Sequence, residues 1–200
     1  MNFIALAIIY QYDATPLTDF EVQEVPDEAG ELTPVITMWN LPDPQPTIQE
    51  LDAYIASPAF YAMRLADEKE LAREKTYTIT EAKRGIYITL KVGKLGEYTQ
   101  KDRETRDWEE DGKPTLPLLF QPSRYPISQK EAPEWGLSQT SLLQWWLDIV
   151  ITWALATAII TAQERASLLA IEAATTIEAA RAAPDSMDWS ELPAIPPQPT

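Results

Sequence analysis

The residue types best suited to chemistry in this sequence are carboxylates and indoles, because the usual nucleophiles and bases are missing. Among 200 residues there is no cysteine and no histidine. That removes disulfide scaffolds, thiolate zinc sites and thiol nucleophiles. It also removes Ser-His-Asp chemistry, imidazole ligation and the usual proton shuttle near neutral pH. The 6 glycines form neither a G-x-x-x-x-G-K-[ST] nor a G-x-G-x-x-G phosphate cradle.

Thirty-one acids remain. Asp107-x-Glu109-x-Asp111-Gly112 has the opening spacing of a calcium loop. The position where a bidentate glutamate should close it is Leu118, and Pro114 and Pro117 interrupt the run, so a solvated acidic turn is expected. Asp148 is the one charge in the apolar stretch Leu142 to Ala162. It is expected in a first helical turn or facing solvent, since an unpaired buried carboxylate is costly. No two acids stand out as an acid–base couple. No catalytic residue, metal ligand or cofactor is nominated, and the chain is expected to be non-enzymatic.

The indoles point elsewhere. Trp145, Trp146 and Trp153 crowd one apolar stretch, and tryptophans at such density are either large-core fillers or interface anchors. Charge narrows the partners. Residues 1–60 hold ten acids and no Lys or Arg, residues 61–140 balance at 14 of each sign, and residues 141–200 hold seven acids against Arg165 and Arg181, for a total of −15. An acidic first third repels polyphosphate, so no nucleic-acid partner is expected.

The elements that must position these groups follow from pattern. Residues 3–10 are continuously apolar and bounded by Asp13 and Pro16. They read as a buried strand, not a signal-peptide core, since no positive residue precedes them. Residues 20–25 and 34–39 read as two more strands, completing an antiparallel meander around an acidic loop. Prolines 42, 44 and 46 force an extended path, and Thr47 and Glu50 have capping-box spacing ahead of Leu51, Tyr54 and Ile55. A helix should start at Ile48, break near Ser57-Pro58, and be followed by a second from about 58 to 75.

The order Tyr10-x-Tyr12, Asp19-Phe20-Glu21, Trp39-Asn40-Leu41, Pro44-x-Pro46-Thr47 and Glu50-Leu51 resembles the XkdW-like family, over about residues 5–55. The resemblance implies a phage or prophage tail-gene context, beside tail-fibre genes. The segment Trp39 to Leu51 is expected to be an internal connector with Trp39 in a small core; a docking role for its Pro-rich face is the alternative.

Beyond the resemblance, alternation over 76–80 and 86–92 predicts a β-hairpin, and 97–113 an exposed, charge-dense stretch. Prolines 114, 117, 122, 126 and 133 predict a stiff extended arm over 113–137. Residues 138–183 lack Pro and Gly, which predicts a long helix or helix pair capped at Ser138 or Thr140 and ended by Pro184. A Pro-rich tail follows over 185–200.

The expected fold class is α+β: a small N-terminal antiparallel meander with helices, a central hairpin, a Pro-rich arm and a long apolar helix in an oligomeric bundle. The corresponding segments are 1–57, 58–112, 113–137, 138–184 and 185–200. Residues 149–163, between Asp148 and Glu164, are too few to span hydrocarbon, so self-association is favoured over membrane insertion. The predicted interface residues are Trp145, Trp146, Ile149, Trp153, Ile160, Leu169 and Ile177, a coiled-coil-like seam at helical spacing. The bundle is expected to be a homo-oligomer, with a trimer suggested by analogy with phage fibres, which are commonly trimeric. The expected function is a virion component at the tail-fibre or baseplate periphery, made in the host cytoplasm, that assembles with other tail proteins. A tail-fibre assembly chaperone is the first alternative, and a small membrane-active protein using residues 142–162 the second.

Overall fold

The computed structural model describes residues 2–26, 30–87, 94–116, 121 and 123–199. The described elements are α1 (Phe3–Tyr12), β1 (Phe20–Pro26), β2 (Leu32–Trp39), α2 (Ile48–Ile55), α3 (Pro58–Tyr87), α4 (Lys94–Glu110), α5 (Pro126–Glu134), α6 (Gln139–Ala173) and α7 (Ile177–Ala182), followed by a 3₁₀ turn, Ala183–Ser186. The class is α+β, as expected. The chain forms two compact units: the residues through Ala72 with Glu172–Arg181, and Arg73–Ile171 with the residues from Ala182 onward.

In the first unit, β1 and β2 pair antiparallel, Phe20 opposite Trp39, with a bulge after Glu21 that shifts Val22 opposite Ile36. The predicted first strand is instead helix α1. Asn2 caps it, its side chain accepting from the Ile4 amide at 2.8 Å. Ile4, Ala7 and Ile8 are buried at helical spacing. A short continuous apolar run carries no periodicity to separate strand from helix, so packing against the hairpin base decides. The three-stranded meander is therefore a two-stranded hairpin covered by a helix. Its core joins Ile4, Ala7, Ile8, Ala14, Phe20, Ile36, Leu51 and Phe60. Phe60 meets the Phe3, Tyr10 and Tyr54 rings at 6.5, 5.6 and 5.6 Å.

The capping box forms as read: the Glu50 amide donates to Thr47 Oγ1 at 3.2 Å and the Thr47 amide to Glu50 Oε2 at 2.8 Å. The Thr47 amide and hydroxyl, both donating to Glu50 Oε2, hold the Glu50 carboxyl below the usual range. The chain breaks at Ser57 and α3 begins at Pro58. Later in this unit the Arg181 guanidinium donates to Glu68, and Lys69 Nζ to the Glu172 carbonyl at 2.7 Å.

The second unit corrects several further expectations. The first strand of the predicted hairpin, 76–80, and residues 86 and 87 of its second are helical, continuing α3 to Tyr87; residues 88–92 lie outside the described residues. Thr76 and Thr80 recur at a spacing of four on one face, and both are fully buried. Thr76 Oγ1 and Ser167 Oγ share a hydrogen bond at 2.9 Å, and Thr80 Oγ1 donates to Glu164 Oε2 at 2.8 Å. Arg84 pairs with the same Glu164 at 2.9 Å. A polar seam to α6 thus outweighs the β propensity of a Thr- and Ile-rich run.

The charge-dense stretch 97–113 is helix α4 as far as Glu110, laced by four-residue ion pairs such as Glu97–Lys101 at 2.9 Å and Asp102–Arg106 at 3.0 Å. One face of it is buried through Glu104, Thr105 and Trp108, so it is not wholly exposed. The predicted arm also contains a helix. Pro126 opens α5, where its fixed φ suits the first turn and its missing N–H costs nothing. Residues 117–120 and 122 of that arm lie outside the described residues.

The long apolar segment is a helix pair, α6 and α7, as the sequence suggests. The Ser141 amide donates to Ser138 Oγ at 3.0 Å, confirming Ser138 as the cap. Of the tail, Ala183–Ser186 is a 3₁₀ turn and Met187 is buried. The Pro193 carbonyl accepts from the Tyr87 hydroxyl at 2.8 Å, so the segment is not a free end.

Candidate functional site

Helices α4, α5 and α6 of the second unit are organised by one buried carboxylate. Helix α5 has no side-chain cap from its own N-cap residue, Tyr125. Glu104, fully buried on α4, takes that part: Oε1 accepts from the Ile127 amide at 2.8 Å and Oε2 from the Ser128 amide at 2.9 Å. A carboxylate on the first free amides of a helix satisfies orphan donors and complements the helix dipole. Around it Trp108, Tyr125, Ala132, Leu142, Leu143, Trp146 and Leu147 form the core.

The acids resembling half a calcium loop are used internally. Arg124 Nη2 pairs with Asp107 at 3.0 Å, its other terminal nitrogen with Asp111, and the Tyr125 hydroxyl donates to Asp111. Burial, with that bond to Asp111, pushes the Tyr125 phenol well above its ordinary value, so it stays protonated. Among the described residues no group of three or more His, Cys, Asp or Glu is placed to hold a metal ion. Asp148 is neither in the first turn of α6 nor fully exposed: it is the tenth residue of the helix, half-buried, and accepts from Gln144 Nε2 at 2.8 Å.

A concavity opens beside this core. A cavity of about 520 Å³ is lined by Trp135, Trp145, Trp146, Ile149, Val150 and Trp153, with Tyr98, Lys101, Asp102, Arg106 and Glu131 at its polar edge. Trp135 and Trp145 stand 5.5 Å apart between ring centres. Lys101 Nζ sits 4.8 Å over the Trp146 ring and pairs with Glu97 and Glu131, both at 2.9 Å. The ammonium is thereby neutralised and held in place. An indole floor with an ion-paired rim can grip an apolar side chain or a peptide segment.

The predicted interface residues divide. Trp145, Trp146, Ile149 and Trp153 come together at this cleft, with Trp153 42% exposed. Ile160 is buried on the α6 face that also carries Ala156, Ser167 and Ile171. Ile177 is buried in the first unit, whereas Leu169 is 62% exposed and lies outside the cleft. Sequence reading missed Lys101, Glu104 and Trp108, although the four-residue charge pairing around them is a helix signal.

The expectation that residues 149–163 are too few to span hydrocarbon does not hold: the helix runs on through Asp148 and Glu164, and α6 is long and apolar enough to cross a membrane by length and composition, with mean hydropathy 1.6 in its most apolar 18-residue window. Only 22% of that window is buried.

Residues 4–59 match the model of the family described as XkdW protein, a phage-associated family. No curated protein and no solved structure matches the chain. The matched span coincides with the first unit's hairpin and capping box, and its motif residues are structural. Trp39 donates from its indole to the Asp43 carbonyl at 2.7 Å and meets the Tyr12 ring edge-on at 5.2 Å. The Asn40 side chain donates to the Thr18 carbonyl at 2.9 Å, and its amide to the Asp19 carbonyl at 2.7 Å. Trp39 is thus part of a connector inside the unit, as expected.

Proposed function

We propose that this chain is a non-enzymatic structural component of a phage tail, at the tail-fibre or baseplate periphery, and that it works by protein–protein assembly. Two things support the reading: the match of residues 4–59 to a phage-associated family, and the unburied apolar surface of α6. The second carries it. A helix of mean hydropathy 1.6 with only 22% of its most apolar window buried leaves water on Ile, Leu and Trp side chains. Covering them releases about 25 cal/mol per Å² of apolar surface.

The four-tryptophan cleft supplies anchor positions for another tail protein. The remaining α6 surface is available to a further copy of the chain, and the chain passes from host cytoplasm to virion as it assembles. Mass spectrometry of purified particles tests this. Stoichiometric copies are expected. Absence from finished particles, with a complex to a fibre protein in the lysate, would replace the structural role with that of an assembly chaperone. Recovery only in detergent would replace it with a membrane-active role.

A further inference from the structure

The C-terminal tail carries prolines at a regular interval: Pro193, Pro196 and Pro199 stand three residues apart. Each proline fixes φ at about −65°, and Leu192, Ile195, Pro196 and Gln198 each precede one, so between 192 and 199 only Ala194 escapes both restraints. The conformation this favours is polyproline II, with three residues per turn and no internal hydrogen bonds. Burial follows the same period. Pro193, Pro196 and Pro199 are half-buried, whereas Ala194, Ile195, Pro197 and Gln198 are exposed. One edge of the tail therefore lies against the second unit, and two residues that line the tryptophan cleft meet it there. The Tyr87 hydroxyl donates to the Pro193 carbonyl at 2.8 Å, and the Trp145 indole N–H to the Pro196 carbonyl at 3.5 Å. Upstream, Lys83 Nζ sits 5.5 Å over the Trp189 ring, and the Asp188 amide donates to Gln163 Oε1 at 3.1 Å.

A polyproline II strand offers free carbonyls along an apolar edge, and the surface that reads it is a row of aromatic rings with outward N–H or O–H donors. Tyr87 and Trp145 supply that chemistry, with the Trp135 ring beside Trp145 at 5.5 Å. Resting on the assembly reading above, we infer that the Tyr87–Trp145 edge of the cleft is a binding site for a proline-rich segment in polyproline II form. In the free chain it is closed by the chain's own tail, Pro193 to Pro199, which a proline-rich segment of another tail protein displaces. An amphipathic helix would also suit an apolar groove, but its carbonyls are spent in its own ladder and would leave the two donors without acceptors. A short tether presents the tail at an effective concentration of millimolar order. Where that is ten times the intrinsic Kd, the tail weakens an incoming segment about ten-fold and so gates the site.

The probe is a dye-labelled peptide of residues 190–200, read by fluorescence anisotropy. It is titrated into the full chain and into a full-length variant carrying Pro193→Ser, Pro196→Ser and Pro199→Ser, which frees the tail without shortening the chain. The freed variant should bind the peptide about ten times more tightly than the parent, or better. Adding Tyr87→Phe should weaken that binding several-fold, and a peptide of the same composition with the three-residue proline spacing destroyed should not bind. Equal affinity for parent and freed variant, binding to neither, or equal binding of the shuffled peptide would overturn the inference. Otherwise unaltered protein gives a second reading. Gln198→Cys, the only thiol in the chain, bearing a dye that indole rings quench, should brighten as unlabelled peptide displaces the tail. No brightening at saturating peptide would overturn the closed form, as would light scattering that finds a parent dimer lost in the freed variant, because the tail would then pass between copies. Either failure leaves the particle test untouched. Conversely, a peptide site in a chain absent from purified particles would keep the site and remove the structural role.

Discussion

Glu104→Gln is the sharpest probe of how the second unit holds together. The glutamate is fully buried and each carboxylate oxygen accepts one backbone amide, Ile127 at 2.8 Å and Ser128 at 2.9 Å. Glutamine keeps the shape and one acceptor but turns an NH₂ toward the second amide, donor against donor. One charge-assisted bond worth about 1.5–3 kcal/mol is lost and a buried N–H goes unsatisfied. The cost of burying a charge is relieved at the same time, and that opposes the loss. If capping governs, the net destabilisation should be about 2–3 kcal/mol, with Glu104→Ala losing more because both amides are orphaned. Six of the seven tryptophans (108, 135, 145, 146, 153 and 189) belong to the second unit, leaving only Trp39 in the first, so intrinsic fluorescence during urea unfolding chiefly reports it. The transition midpoint should fall by roughly 1 M or more at ordinary urea sensitivities. A Gln variant as stable as the parent, or more so, would show that desolvation outweighs capping and would refute the reasoning.

Three further outcomes are expected. Thr47→Ala should cost the first unit about 1 kcal/mol and speed hydrogen exchange at the Glu50 amide, while Thr47→Ser should restore both. Phe60→Ala removes the ring shared by Phe3, Tyr10 and Tyr54 and should cost about 3–5 kcal/mol, read as faster exchange of the α1 and hairpin amides. Hydrogen bonding from Arg181 holds the Glu68 carboxyl below its ordinary value. The folded form therefore binds this proton less readily than the unfolded chain, so the pair's contribution is complete above the unfolded value and is lost as pH falls through the folded one. It should be small because Arg181 is largely exposed and solvent screens the pair. The difference in stability between parent and Glu68→Gln should accordingly shrink on acidification, and a difference independent of pH would count against the pairing.

What could be read directly were features whose cause is local. The capping box at Thr47 and Glu50, the break at Ser57-Pro58, the cap at Ser138 and the stop near Pro184 each depend on a side chain and the few backbone groups beside it. The misread segments were those where local preference and tertiary demand disagree. Residues 3–10 are apolar on every side and give no period to measure. The run around Thr76 to Thr80 is rich in β-branched residues, yet its buried hydroxyls bond to Ser167 and Glu164, some ninety positions away in sequence. At the candidate cleft, the α6 tryptophans were visible because indoles are rare, whereas Lys101 and Trp135 gain their meaning only from the rings beside them.

The amino-acid sequence alone determined the absence of thiol and imidazole chemistry, the acidic charge and its uneven spread, the ends of several helices and the density of indoles near the C-terminal helix. These are properties of composition and short-range bonding. Tertiary structure decided which side of α6 is consumed by the core, that Glu104 caps a helix other than its own, and that Ile151, Leu155 and Leu169 of α6 face water. A helix pattern fixes which residues share a face, but burial depends on what the rest of the chain brings against it.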